Sequence, residues 1–211
     1  MKAASIPPPG EPPGDAVALD VRTLPSFGFG HRSIIWWATI GLMLIESTVF
    51  ALAVLTYFYL RGLAAQWPTS AEPPDLTWGT VNTLVLLASL WPAHLAKAAA
   101  ERCDRRAAAR WMDACMAFTL AFLAIRWLEF MHLNISWSSN AYGSILWFLL
   151  GLHTTHLVTD AIDSAVLTVL LHTGPFEGRR HVDVSENAVY WYFVVASWIP
   201  IYAVIYLAPR F

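Results

Sequence analysis

From Ile34 to Leu60 the chain carries a single charged residue, Glu46. A run of that length crosses the hydrocarbon core of a bilayer as one helix. Four further apolar segments follow, at about 76–96, 111–131, 144–171 and 188–207. In lipid every backbone N–H and C=O must be satisfied within its own segment or a closed barrel, and segments of this length point to helices. The predicted fold class is therefore all-α: a polytopic bundle of five transmembrane helices over residues 31–211. Composition supports this reading, because 57% hydrophobic and only 13% charged residues do not suit a water-soluble domain. A net charge of −2 gives no reason to expect nucleic acid as a partner.

Residues 1–30 read differently. Six of the thirteen prolines fall there, including the PPP run at 7–9, and no apolar stretch follows Lys2 to make a signal peptide. This segment is predicted as a disordered, Pro-rich cytoplasmic arm that buries no core. Orientation follows from Lys and Arg. With the N-terminus inside, ten basic residues (Lys2, Arg22, Arg32, Lys97, Arg102, Arg105, Arg106, Arg110, Arg179 and Arg180) lie on the cytoplasmic side. Only Arg61 and Arg210 lie outside, so the expected topology is N-terminus in, C-terminus out. Cys103 and Cys115 have no metal-ligand spacing and are expected to be free thiols.

The bundle must accommodate several polar side chains. An ionised group at the centre of a span costs roughly 2.5–3.5 kcal/mol on insertion scales, so these residues are expected to face inward. Span four contains GLHTTHLVTDAID, in which His153, His156, Asp160 and Asp163 are spaced 3, 4 and 3 and share one helical side. Span three carries Arg126 and Glu129, most simply an ion pair that neutralises itself. Span two carries Asn82, Ser89 and His94. His153, His156 and Asp160 are open to three readings: an interhelical hydrogen-bond network, a metal site, or proton handling and lipid-headgroup binding. No nucleophile elbow, phosphate loop or haem-attachment motif is present, and nothing reads as an active site.

At these residues the chain resembles subunit III of the haem–copper terminal oxidases. In IESTVFALAVLTYFYL, Glu46 and Phe50 fit the family's Ser-Glu-x-x-Phe-Phe helix, with Ile45 in place of the serine. NTLVLLAS fits Asn-Thr-x-x-Leu-x-x-Ser through Asn82, Thr83 and Ser89. Phe122 and Glu129 fit Phe-x-x-x-Gln-x-x-Glu, with Arg126 replacing the glutamine. Gly151, His153 and His156 fit Gly-x-His-x-x-His, and Glu186, Tyr190, Trp191, Phe193, Trp198 and Tyr206 follow the family's aromatic last helix. Tyr192 and Val195 stand where that helix usually has His and Asp. Larger members have seven helices, and these five correspond to the last five, as in a short bacterial form.

The resemblance implies a non-catalytic subunit of a cytochrome c oxidase in the bacterial inner membrane. It implies no cofactor in this chain, haems and copper in partner subunits, packing beside catalytic subunit I and subunit II, and phospholipid bound in a cleft. It also implies support of proton uptake and of the catalytic subunit's stability. Glu46, His153, His156, Asp160, Arg126 and Glu129 are the residues expected in a buried polar network or at the lipid cleft. A quinol oxidase, an accessory subunit of a nitric oxide reductase and a small membrane transporter are the alternatives.

Overall fold

The computed structural model describes residues 28–68, 72–174, 178 and 180–211. Most of the Pro-rich arm expected over 1–30 lies outside the described residues. Five long helices account for nearly everything else: α1 (Ile34–Leu63), α2 (Leu76–Glu101), α3 (Arg105–Met131), α4 (Ala141–Thr173) and α5 (Arg180–Tyr202). All five are long and apolar enough to cross a membrane.

Each of the first four helices begins at a side-chain cap of the type that favours nucleation. Ser33 accepts from the Ile35 amide, Asp75 from Thr77, Asp104 from Ala107 and Asn140 from Gly143. Capping explains why α3 starts at Arg105 rather than at 111, where the apolar run begins. Asp104 supplies the N-cap, and Arg105 to Arg110 then form a basic first turn and a half ahead of the apolar run. The α2–α3 turn closes on a Schellman pair, with the Cys103 amide donating to Ala100 O and the Asp104 amide to Ala99 O. Cys103 takes the left-handed position at φ 55° that glycine usually occupies. Buried alanines (Ala93, Ala96, Ala99 and Ala100 on α2, Ala108 and Ala109 on α3) let these two helices approach closely.

The helices pack as a ring of four with the fifth outside. α2 touches α3 and α5, and α4 touches α3 and α5, which closes the ring. α1 lies in the groove between α4 and α5 and buries only Phe50, Ala53 and Tyr57 within the chain. Most of its large apolar side chains, Leu44, Leu52 and Leu55 among them, face outward. Beyond Pro200, α5 loosens into a π turn (Ala203–Leu207) that carries Tyr206. A proline lacks the N–H for an i→i−4 bond, and one-turn π segments are a common way to reset the helix register.

Candidate functional site

The interior of the ring holds a buried ion pair. Arg126 Nη1 donates to Glu129 Oε2 at 2.8 Å, with both side chains 1% exposed. Charge this deep needs further donors and acceptors, and the neighbouring helices supply them. Glu129 Oε2 also accepts from Asn82 Nδ2 of α2 at 2.8 Å, and Oε1 accepts from the Tyr206 hydroxyl. The guanidinium lies over the Trp198 ring at 4.2 Å and the Phe122 ring at 4.9 Å. Its Nη2 meets His153 Nδ1 at 3.3 Å, while His153 Nε2 meets the Val194 carbonyl at 3.0 Å. A carbonyl only accepts, so Nε2 carries the hydrogen and Nδ1 is left to accept from Arg126.

The polar motif of α2 works entirely within this frame. Asn82 serves Glu129, Thr83 Oγ1 accepts from the Trp198 indole at 2.8 Å, and Ser89 Oγ accepts from the Trp191 indole at 2.9 Å. Two indoles seven residues apart on α5 thus latch to two hydroxyls on α2.

Glu46 occupies a different place. It lies outside the ring, on α1, half-buried against α4 and α5. Its Oε2 accepts from the Tyr190 hydroxyl at 2.8 Å, and its Oε1 is 3.5 Å from His156 Nε2. His156 Nδ1 is bonded to the Leu152 carbonyl at 2.7 Å and therefore carries a hydrogen. The Glu46–His156 contact becomes a hydrogen bond only when one more proton sits on either partner. His153 and His156 do not share a network. Three residues along a helix leave them about 60° apart around its axis. Phe50 sits near both, with ring centroids 4.7 Å from His156 and 6.3 Å from His153.

The same groove widens into a cavity of about 660 Å³ between α1, α4 and α5. Its walls are apolar (Leu42, Val166, Leu170) with Glu46, Asp160, Asp163 and Glu186 among them. Asn187 Nδ2 donates to Asp163 at 3.0 Å and reaches Asp160 at 3.5 Å, and its Oδ1 accepts from Ser164 at 3.2 Å. Glu186 is 3% exposed, and neither carboxyl oxygen has a hydrogen-bond partner among the described residues. Asp160 therefore belongs to the cleft and His153 to the ring interior, and the stripe read along span four divides between them. Asn187, which holds the two aspartates, escaped the sequence reading. Its signal is weak: it lies on α5, one turn before Trp191.

His153, His156 and Asp160 point to Arg126, Glu46 and Asn187 respectively, so they do not converge as metal ligands. No group of three His, Cys, Asp or Glu among the described residues is arranged to hold a metal ion. Glu46→Gln is expected to leave assembly intact, because an amide oxygen still accepts from Tyr190. Tyr190→Phe should cost about 1 kcal/mol, the usual worth of one lost hydrogen bond. Thermal unfolding of the purified protein distinguishes the two; equal losses would mean that the Tyr190 bond does not position Glu46.

Five apolar helices, four of them ringed around an internally neutralised ion pair, define a polytopic α-helical membrane protein with a polar core and a lateral cleft. The profile of cytochrome c oxidase subunit III matches residues 34–209. The chain is 26% identical to cytochrome c oxidase subunit 3 of Thermostichus vulcanus over 172 residues, covering 80% of this chain and 85% of that one. It is 28% identical to the probable cytochrome c oxidase subunit 3 of Nocardia farcinica over 198 residues, covering 92% and 95%. With that of Mycobacterium bovis the identity is 30% over 202 residues, with the same coverage. The chain belongs to the cytochrome c oxidase subunit III family, the non-catalytic subunit of a haem–copper oxidase.

Proposed function

We propose that this chain packs beside subunits I and II of a cytochrome c oxidase in the bacterial inner membrane, holds phospholipid in the Glu46 cleft and supports proton uptake by the catalytic subunit. Haems and copper belong to the partners. Ten Lys and Arg residues in the N-terminal arm and in the second and fourth connections, against Arg61 and Arg210 elsewhere, favour a cytoplasmic N-terminus.

The observation that carries this reading is the cleft itself. Its volume of about 660 Å³, apolar walls and carboxylates suit an amphipathic guest. α1, which forms one wall, covers little of its own surface within the chain and needs lipid or a partner outside. Beside the cleft, the 3.5 Å approach of His156 Nε2 to Glu46 Oε1 supports a role in proton uptake.

Two measurements test the proposal. A tagged chain purified in mild detergent should bring down larger subunits with the optical spectrum of haem, and recovery of the chain without haem proteins would count against it. Oxygen consumption by the complex with and without this subunit should start at similar rates, and the stripped enzyme should then decay faster. Immediate loss of haem on stripping would make the chain a structural part of the metal site instead.

A further inference from the structure

We propose a second, oppositely charged site: a phosphate-binding groove between the first turns of α3 and the last turn of α4. A cavity of about 560 Å³ lies there, lined by Arg105, Arg106, Ala109, Arg110, Leu171 and His172. Three guanidinium groups and an imidazole face one space, and among the described residues no carboxylate lines it. The volume falls in the range of small-ligand sites.

Two of the four basic groups are fixed by the protein. Arg105 Nε donates to the Leu171 carbonyl at 2.7 Å and so caps the end of α4. His172 Nε2 is held from behind by the Asp113 carboxylate, at 2.9 and 3.1 Å. Arg106 and Arg110 are different: both are exposed, and neither has a hydrogen bond or ion pair within the described residues. They lie four residues apart on one helical face, where like charges repel. An anion between them removes that repulsion and satisfies two forks whose donors match phosphate oxygens in pairs.

Sequence and depth narrow the ligand to a phosphate. Arg105 to Arg110 immediately precede the apolar run of α3, the position at which basic residues flanking a span meet lipid headgroups. Leu171 gives the groove an apolar floor at 2% exposure, suited to the glycerol end of a lipid headgroup. The cleft between α1, α4 and α5 is lined by five carboxylates and one arginine, Arg180, which favours a zwitterionic phospholipid headgroup there and leaves an anionic one to the groove. The phosphate comes from an anionic phospholipid headgroup or from free phosphate, and the chemistry of the site is the same for both.

Orientation in the membrane is the plain alternative, since arginines at this end also direct insertion. Arg106→Lys/Arg110→Lys keeps the charge for insertion and removes the forks; Arg106→Gln/Arg110→Gln removes both. The complex containing the full chain is titrated with phosphatidylglycerol in detergent, and bound lipid is counted by native mass spectrometry. Hydrogen exchange of segment 103–112 gives the local readout. The expected loss of affinity is about thirty-fold for the glutamine pair and about fivefold for the lysine pair, on the scale of attraction that one basic residue supplies at an anionic surface. Exchange should slow on adding lipid in the parent protein only. Displacement of the lipid by inorganic phosphate, with the same order among the variants, assigns the site to free phosphate; no displacement assigns it to the lipid. Equal lipid and phosphate binding in parent and variants, with unchanged exchange, overturns the proposal. If the glutamine pair fails to assemble, unchanged binding by the lysine pair overturns it alone.

Discussion

Arg126→Leu is expected to destabilise the protein by about 3–5 kcal/mol, because it strands a carboxylate in the middle of the helix ring. Glu129 is 2% exposed, and its other donors, Asn82 and Tyr206, are neutral. They solvate the charge but do not cancel it. The leucine also abandons the faces of Trp198 and Phe122, and it leaves His153 Nδ1 without its donor. Arg126→Lys should recover only part of the loss. An ammonium makes a point contact with Glu129 and cannot stack as a plane on an indole. Arg126→Leu/Glu129→Leu should recover most of it, since removing both charges together costs little and can even stabilise. Unfolding of the purified protein in a graded denaturing detergent, followed by tryptophan fluorescence, measures all three variants against the parent. A double variant no more stable than Arg126→Leu would show that the two charges are not coupled.

This pair also marks the boundary of what could be read from the chain. The five helices were legible because each must satisfy its backbone inside lipid, and only long apolar runs do that. Pairing of Arg126 with Glu129 was legible too, since a spacing of three puts them side by side. Destinations of the span-four residues were not. A spacing of 3, 4 and 3 describes one broad side of a helix, but α4 has α3 and α5 on one flank and α1 on another. His153 therefore turns into the ring while His156 turns to Glu46. Nothing local in the sequence says that α1 packs on α4 and α5, far along the chain. Asn187 was missed for the same reason: its role is to hold Asp160 and Asp163, and those lie on another helix.

The structure also answers why a carboxylate is kept near the centre of α1. Glu46 does not enter the ring, where Glu129 already fills the place opposite Arg126. It faces the cleft, with one oxygen held by Tyr190 and the other near His156. Removing the charge there is thus a local change, whereas removing Arg126 disturbs groups on α2, α3, α4 and the C-terminal π turn together.

A substitution that introduces no charge should be nearly as damaging. Gly79→Val is expected to cost about 3 kcal/mol or more, at the upper end of overpacking effects, because it evicts the ring of Tyr206. A Cβ at position 79 would lie 2.6 Å from Tyr206 Cε2 and 2.8 Å from Cε1, distances that no real pair of carbons tolerates. Tyr206 cannot step aside, for it is 1% exposed and its hydroxyl donates to Glu129. Glycine at 79 thus lets α2 approach the π turn closely enough for the third donor to reach the buried carboxylate. Gly79→Ala should cost less, about 1–3 kcal/mol. Tyr206→Leu should cost something by itself, through the lost hydrogen bond, but it clears the space above position 79. In the Tyr206→Leu background Gly79→Ala should then be nearly silent, so the two changes are strongly non-additive. Additive losses in the double variant would mean that the glycine is needed for some other contact, and that Tyr206 reaches Glu129 without it.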